Sequence, residues 1–182
     1  MNLSVFATEN SILEKELKGR VAVVIDVLRA TSTIVTALAN GCKEVIPVME
    51  IEEAVNMAKN YDKNTFLLAG ERGTVQENKD IVILCAGTDG KFSLDDVVTA
   101  GMVVSYICRN KEDVELDDLA LTSRYIYELN KSDLNRLLSH TYHYGKLMEA
   151  GFEEDIKYCL KHDVIDIVPH YENGIIRNKA NR

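Results

Sequence analysis

The chain has 182 residues, 46 % of them hydrophobic, enough for one globular core, and a formal net charge of -8. That charge disfavours nucleic acid, whose phosphates are bound chiefly by Lys and Arg, and it requires an anionic ligand to sit where a cation or local arginines reverse the field. No apolar run approaches the ~20 residues of a membrane span, and residues 1–10 lack the basic start and apolar core of a signal peptide, so a cytoplasmic protein with no membrane partner is expected.

Residues 21–27, apolar but for Asp26 and rich in Val, read as a strand buried on both faces. Residues 33–40 read as a helix with Ile34, Val35 and Leu38 on one face and Gly41 as its stop. A short strand is predicted at 44–48. An amphipathic helix follows at 50–61, with Ile51, Ala54, Val55 and Ala58 inward. Strands are predicted at 65–70 and 80–86. Ser93 and Asp96 form a capping signature that opens a helix carrying Val97, Val98, Gly101, Val104 and Cys108 on its inner face. Residues 116–162 read as helical, broken near Ser132 and Gly151. Strands at 166–168 and 174–177 are joined through Asn173-Gly174, a tight-hairpin dipeptide. Strands alternating with helices predict one α/β domain over residues 1–182, a three-layer α/β/α arrangement with a mainly parallel sheet and a helical C-terminal half.

One connection breaks the pattern. A parallel crossover takes roughly a dozen residues or more, usually with a helix. Residues 71–79 are too short and too polar for that. Either the flanking strands are not parallel neighbours or a βα unit is absent there.

Ligands of open α/β sheets sit at the carboxyl ends of the strands. Three polar clusters are expected there: Asp26, Arg29, Thr31 and Ser32; Glu71 and Arg72; and Gly87, Thr88, Asp89 and Gly90. Carboxylates suit Mg²⁺, arginine suits phosphate, and glycine turns bring backbone N–H groups close to an anion. Each has a plainer reading, as a helix cap, a surface ion pair and a turn respectively; the conjunction points to an anionic-ligand site. There is no P-loop and no dinucleotide fingerprint. Cys85 and Lys91 echo a cysteine-phosphatase loop, but lysine lacks the bidentate fork and Leu84 stands where those enzymes carry histidine. The four cysteines Cys42, Cys85, Cys108 and Cys159 are scattered, as expected of reduced thiols rather than a zinc site.

The runs at 24–33 (Val-Ile-Asp-Val-Leu-Arg-Ala-Thr-Ser-Thr), 68–73 (Leu-Ala-Gly-Glu-Arg-Gly), 82–90 (Val-Ile-Leu-Cys-Ala-Gly-Thr-Asp-Gly) and 92–96 (Phe-Ser-Leu-Asp-Asp) come in a distinctive order. Gly-Phe-Glu-Glu-Asp-Ile at 151–156 and Asp-Ile-Val-Pro at 166–169 complete the set. Together they resemble the 2-phosphosulfolactate phosphatases over nearly the whole chain. The resemblance implies an α/β/α fold and Mg²⁺-dependent hydrolysis of 2-phospho-3-sulfolactate, a small anionic phosphorylated substrate, on the way to coenzyme M. It further implies Asp26 and Glu71 as Mg²⁺ ligands, and Arg29 and Arg72 as clamps on phosphate, sulfonate or carboxylate. Thr31, Ser32, Gly87, Thr88 and Gly90 would donate hydrogen bonds. Asp89 and His143 are acid–base candidates, and Asp26 is either nucleophile or metal ligand. Family members carry a further strand and helix after the Gly-Glu-Arg-Gly motif. Here Gly73 runs through Thr74 almost directly into Asp80 and Ile81. That join raises a second reading, a catalytically impaired remnant acting as an anion-binding or oligomer-forming domain, and predicts a tendency to form homo-oligomers.

Overall fold

A computed structural model of the chain describes residues 1–61 and 80–178. Its centre is a parallel sheet of four strands, β1 (Asn2–Phe6), β2 (Val21–Ile25), β3 (Ile81–Cys85) and β4 (Glu115–Leu116), in the order β2-β3-β1-β4. Helices lie on both faces, giving the expected three-layer arrangement. β2 and β3 form where the apolar runs predicted strands, and they are direct parallel neighbours, paired from Val21↔Ile81 to Ile25↔Cys85.

The central strand β1 is absent from the sequence-based expectation. Polar Asn2 and Ser4 interrupt its apolar pattern, yet Leu3 and Val5 are buried in the main core. Its ends are tied by side chains. Asp80 accepts the Asn2 backbone N–H at 2.9 Å. Asp117 accepts the Val5 N–H at 3.1 Å through one oxygen and the Ala120 N–H at 2.7 Å through the other. The second contact caps the helix that follows.

The helices are α1 (Glu14–Leu17), α2 (Ala30–Ala39), α3 (Ile51–Ala58), α4 (Leu94–Asn110), α5 (Asp118–Asn130), α6 (Leu134–Leu138), α7 (Tyr142–Glu149) and α8 (Glu153–Cys159). α4 buries Val97, Ala100 and Val104 against Ile25, Ile83 and Cys85 of the sheet and against Ala120 of α5. α4 and α5 approach so closely at Gly101 that a Cβ there would lie 2.0 Å from the Ser123 carbonyl oxygen. The helical second half breaks near Ser132 and at Gly151 as expected, and also between α6 and α7, where Thr141 caps α7.

Three expectations need correction. The stretch at 44–48 is not a sheet strand; only Val45 makes a bridge, antiparallel to Ile176. The closing hairpin is β5 (Pro169–Glu172) with β6 (Ile175–Asn178), so its first strand begins three residues later than predicted. Asn173-Gly174 still makes the turn, both residues having positive φ. α3 forms, but none of its residues is buried; Ile51 and Val55, expected inward, are exposed, Ile51 at 80 %. An amphipathic stripe records a preference for burial, and the described residues supply no surface to cover this one. The strand predicted at 65–70 and the join at 74–79 lie outside the described residues.

Candidate functional site

Parallel pairing of β2 with β3 sets their following loops side by side at the carboxyl edge of the sheet, and the Ala86 N–H donates to the Ile25 carbonyl at 2.9 Å. Asp26 therefore stands beside the loop containing Gly87, Thr88, Asp89 and Gly90, as expected. Glu71 and Arg72 lie outside the described residues.

Asp26 begins the local order of its loop. Its Oδ1 accepts the Ala30 N–H at 3.2 Å, and its backbone carbonyl accepts the Thr31 N–H at 2.9 Å and the Thr31 hydroxyl at 2.6 Å. These contacts start α2 three residues earlier than its apolar pattern suggests. The Ser32 hydroxyl donates to the Val27 carbonyl at 2.8 Å. Both hydroxyl protons are thus spent on the loop's own backbone, so Thr31 and Ser32 shape the loop instead of projecting donors from it. The other Asp26 oxygen accepts no hydrogen bond among the described residues.

Two acids that the sequence did not assign to the site, Asp95 and Asp96, complete the cluster. They open α4 and are 1 % and 2 % exposed. Asp96 Oδ1 accepts the Val27 N–H at 3.1 Å and Oδ2 accepts the Gly87 N–H at 2.9 Å, so one carboxyl joins the loops after β2 and β3. Burial, then the neighbouring Asp95, push its pKa up to about 8, with Asp26 adding to the effect. Asp95 accepts a hydrogen bond from the Ser93 hydroxyl, and its other oxygen lies 3.1 Å from His143 Nδ1. Ser93 begins α4 as predicted, but neither it nor Asp96 makes the reciprocal cap; both side chains are committed to the site. The available sequence signal was a pair of adjacent acids heading a helix with an otherwise apolar inner face.

Gly87 has φ +75°, and a Cβ there would sit 2.3 Å from the Lys91 carbonyl oxygen, so the turn requires glycine. The amides of Gly87 and Thr88 are already paired, with Asp96 and with the Lys91 carbonyl. Asp89 is exposed and pairs with Lys146 Nζ at 2.9 Å, which holds its carboxyl below the usual range. Arg29 pairs with Asp155 at the start of α8 and stacks 3.7 Å from the centre of the Phe152 ring. Cys85 is fully buried in the core, and burial pushes its thiol upward, which opposes a thiolate nucleophile.

Among the described residues, no three His, Cys, Asp or Glu side chains converge as a metal site. Mg²⁺, however, is commonly held by only one or two carboxylates, with water and substrate phosphate completing the shell. The hard oxygen donors fit that ion. So does the crowding of Asp26, Asp95 and Asp96, which a cation would relieve.

Fold and site together define a three-layer α/β/α protein with an acidic cluster at the carboxyl edge of its parallel sheet. The family model for 2-phosphosulpholactate phosphatase matches residues 6–77 and 74–174, and the chain belongs to that family. A protein of Caldanaerobacter subterraneus subsp. tengcongensis named "Probable 2-phosphosulfolactate phosphatase" is 38 % identical over 237 residues, covering 97 % of this chain and 98 % of that one. Identically named proteins of Clostridium tetani and Clostridium acetobutylicum are 33 % and 32 % identical, each covering 97 % of this chain and 100 % of theirs. The alignment of 237 positions exceeds the 182 residues of this chain. The two family matches meet at 74–77, where crossover geometry found too little chain for a βα unit. The relatives therefore carry an internal stretch that this chain lacks.

Proposed function

We propose that this chain is a Mg²⁺-dependent phosphatase that hydrolyses 2-phospho-3-sulfolactate to 3-sulfolactate and phosphate, in the cytoplasm and toward coenzyme M. The observation that carries the reading is family membership along nearly the whole chain, with the loops after β2 and β3, two of its strand-end motifs, joined through one acidic cluster. Asp26 and Glu71 would hold Mg²⁺, which when bound offsets charge on the phosphate. Arg29 and Arg72 clamp anionic oxygens of the substrate. Thr88 and the backbone of the turn through Gly87 and Gly90 face the same edge. Asp89, held ionised by Lys146, is poorly suited to give up a proton at neutral pH, whereas His143 is held above its ordinary value, chiefly by its hydrogen bond to Asp95.

The stretch absent at 74–77 favours a second reading, an anion-binding or oligomer-forming remnant with impaired catalysis. Phosphate release from 2-phosphosulfolactate, with Mg²⁺ and with EDTA, separates the two. Mg²⁺-dependent release, slower than that of a full-length relative, is expected; no release from folded, Mg²⁺-saturated protein would establish the remnant. Asp26→Asn should weaken Mg²⁺ binding on the order of tenfold or more while barely changing the melting temperature. Equal titrations for wild type and variant would remove Asp26 from the metal site.

A further inference from the structure

α4 and α7 meet at a carboxyl–imidazole pair supported from behind. His143, in the first turn of α7, has Nδ1 3.1 Å from Asp95 Oδ2. The other Asp95 oxygen accepts from the Ser93 hydroxyl, and Ser93 Oγ lies 3.0 Å from Thr88 Oγ1. Ser93 and Asp95 are buried, so this support is shielded from bulk water. With Nδ1 engaged, Nε2 lies on the far side of the ring and has no hydrogen-bond partner among the described residues. The ring lines a cavity of about 460 Å³ together with Thr88, Asp89, Lys91, Ser93 and Tyr142.

We propose that Asp95 and His143 form the proton-delivery pair of this site, His143 Nε2 giving its proton to the ester oxygen as that oxygen leaves phosphorus. The proposal rests on the phosphatase reading above. The bond from phosphorus to the C2 oxygen of the lactate skeleton breaks, and its electron pair stays on that oxygen, which takes the Nε2 proton. Water supplies the fourth oxygen of phosphate, and a proton released from it restores the imidazolium. An unactivated alkoxide is a poor leaving group, so proton transfer to it is where a general acid acts. Asp95 is a positioning residue: it orients the ring and favours the doubly protonated form. Two other carboxyls around His143 act in the same sense. Asp26 from the loop after β2 and Asp96 from α4 both favour imidazolium, and the nearby cation Lys146 is paired with Asp89; burial opposes them without reversing the outcome.

The test compares an alkyl ester, 2-phosphosulfolactate or the simpler 2-phospholactate, with p-nitrophenyl phosphate, whose leaving group needs no proton. His143→Gln should lower kcat on the alkyl ester by roughly 10²–10³ and on the aryl ester by less than about tenfold. Asp95→Asn should cause a smaller loss and move the alkaline limb of kcat to lower pH. The NMR titration of the His143 ring, which needs no turnover, should move down with it. Asp95→Glu should restore part of both, which separates positioning from a folding defect. Equal losses on both esters in His143→Gln, or an alkaline limb and ring titration unmoved in Asp95→Asn, would overturn the pair. If the wild type releases phosphate from neither ester, the phosphatase reading itself falls, and the pair's role with it.

Discussion

Cys85 is a residue at which the predicted strand and the tertiary position agree against a motif-level echo. In sequence it sits five residues before Gly90 in a loop-like motif; in the fold it is a core side chain between β3 and α4. Cys85→Ser should therefore leave phosphatase activity within a few-fold while lowering stability by about 1–3 kcal/mol, because a hydroxyl replaces a buried thiol. Activity abolished in a folded, Mg²⁺-loaded variant would return cysteine chemistry to consideration. The acidic cluster makes a second residue-scale prediction. Asp96 has its folded pKa raised above the ~4 of an unfolded carboxyl, so stability falls as pH climbs from ~4 toward 8 and the buried group ionises. His143 is also raised; its stabilising contribution is whole below ~6.5 and lost as pH rises through the folded value. Asp80 and Glu128 are held low, so their contributions are lost only in acid. In EDTA the melting temperature should peak near pH ~5–6 and fall toward pH 9; a steady rise from pH 6 to 9 would contradict this account. Asp26, Arg29 and the glycine turn were legible because each follows an apolar strand. Asp95 and Asp96 were not, because a helix-capping role accounts equally well for acids at those positions.

Among the elements, α4 is the one on which both core and site depend. Its inner face packs on the sheet, its first turn supplies Asp95 and Asp96, and its middle admits α5 through Gly101. Gly101→Ala must push α5 away from a backbone carbonyl, which no rotamer change can relieve, and should cost about 1–3 kcal/mol. Because the same helix carries the carboxyls, phosphatase activity should fall more than the melting temperature suggests. Unchanged stability, read by denaturant unfolding, would show that the two helices slide without cost. β2, β3 and α4 announce themselves through continuous apolar runs and a helical period. β1 does not: Asn2 and Ser4 interrupt its apolar pattern, and its place at the sheet centre depends on pairing with β3 and β4 from distant parts of the chain.

For the whole molecule, the described residues leave an apolar face exposed around α3. Met49, Ile51, Val55 and Met57, on and just before α3, are exposed, and they precede in sequence the position where the family match divides. Apolar patches left uncovered favour association, and a second copy of the chain would bury this one. Sedimentation should show self-association that rises with concentration and weakens in Ile51→Lys/Val55→Lys, together with a lower melting temperature than an intact relative. A monodisperse monomer that melts like that relative would refute it. No helix among the described residues is long and apolar enough to cross a membrane. By itself the sequence determined the family, the parallel α/β layering, the β2 and β3 edge with its Asp26 and glycine-turn loops, and the unusual join after Gly73, since these follow from local runs and crossover length. Only the tertiary structure decided that β1 is central, that the described residues leave α3 uncovered, and that Asp95, Asp96 and His143 converge. Those facts depend on which distant surfaces meet, and a local pattern of apolar and charged residues does not specify its partner.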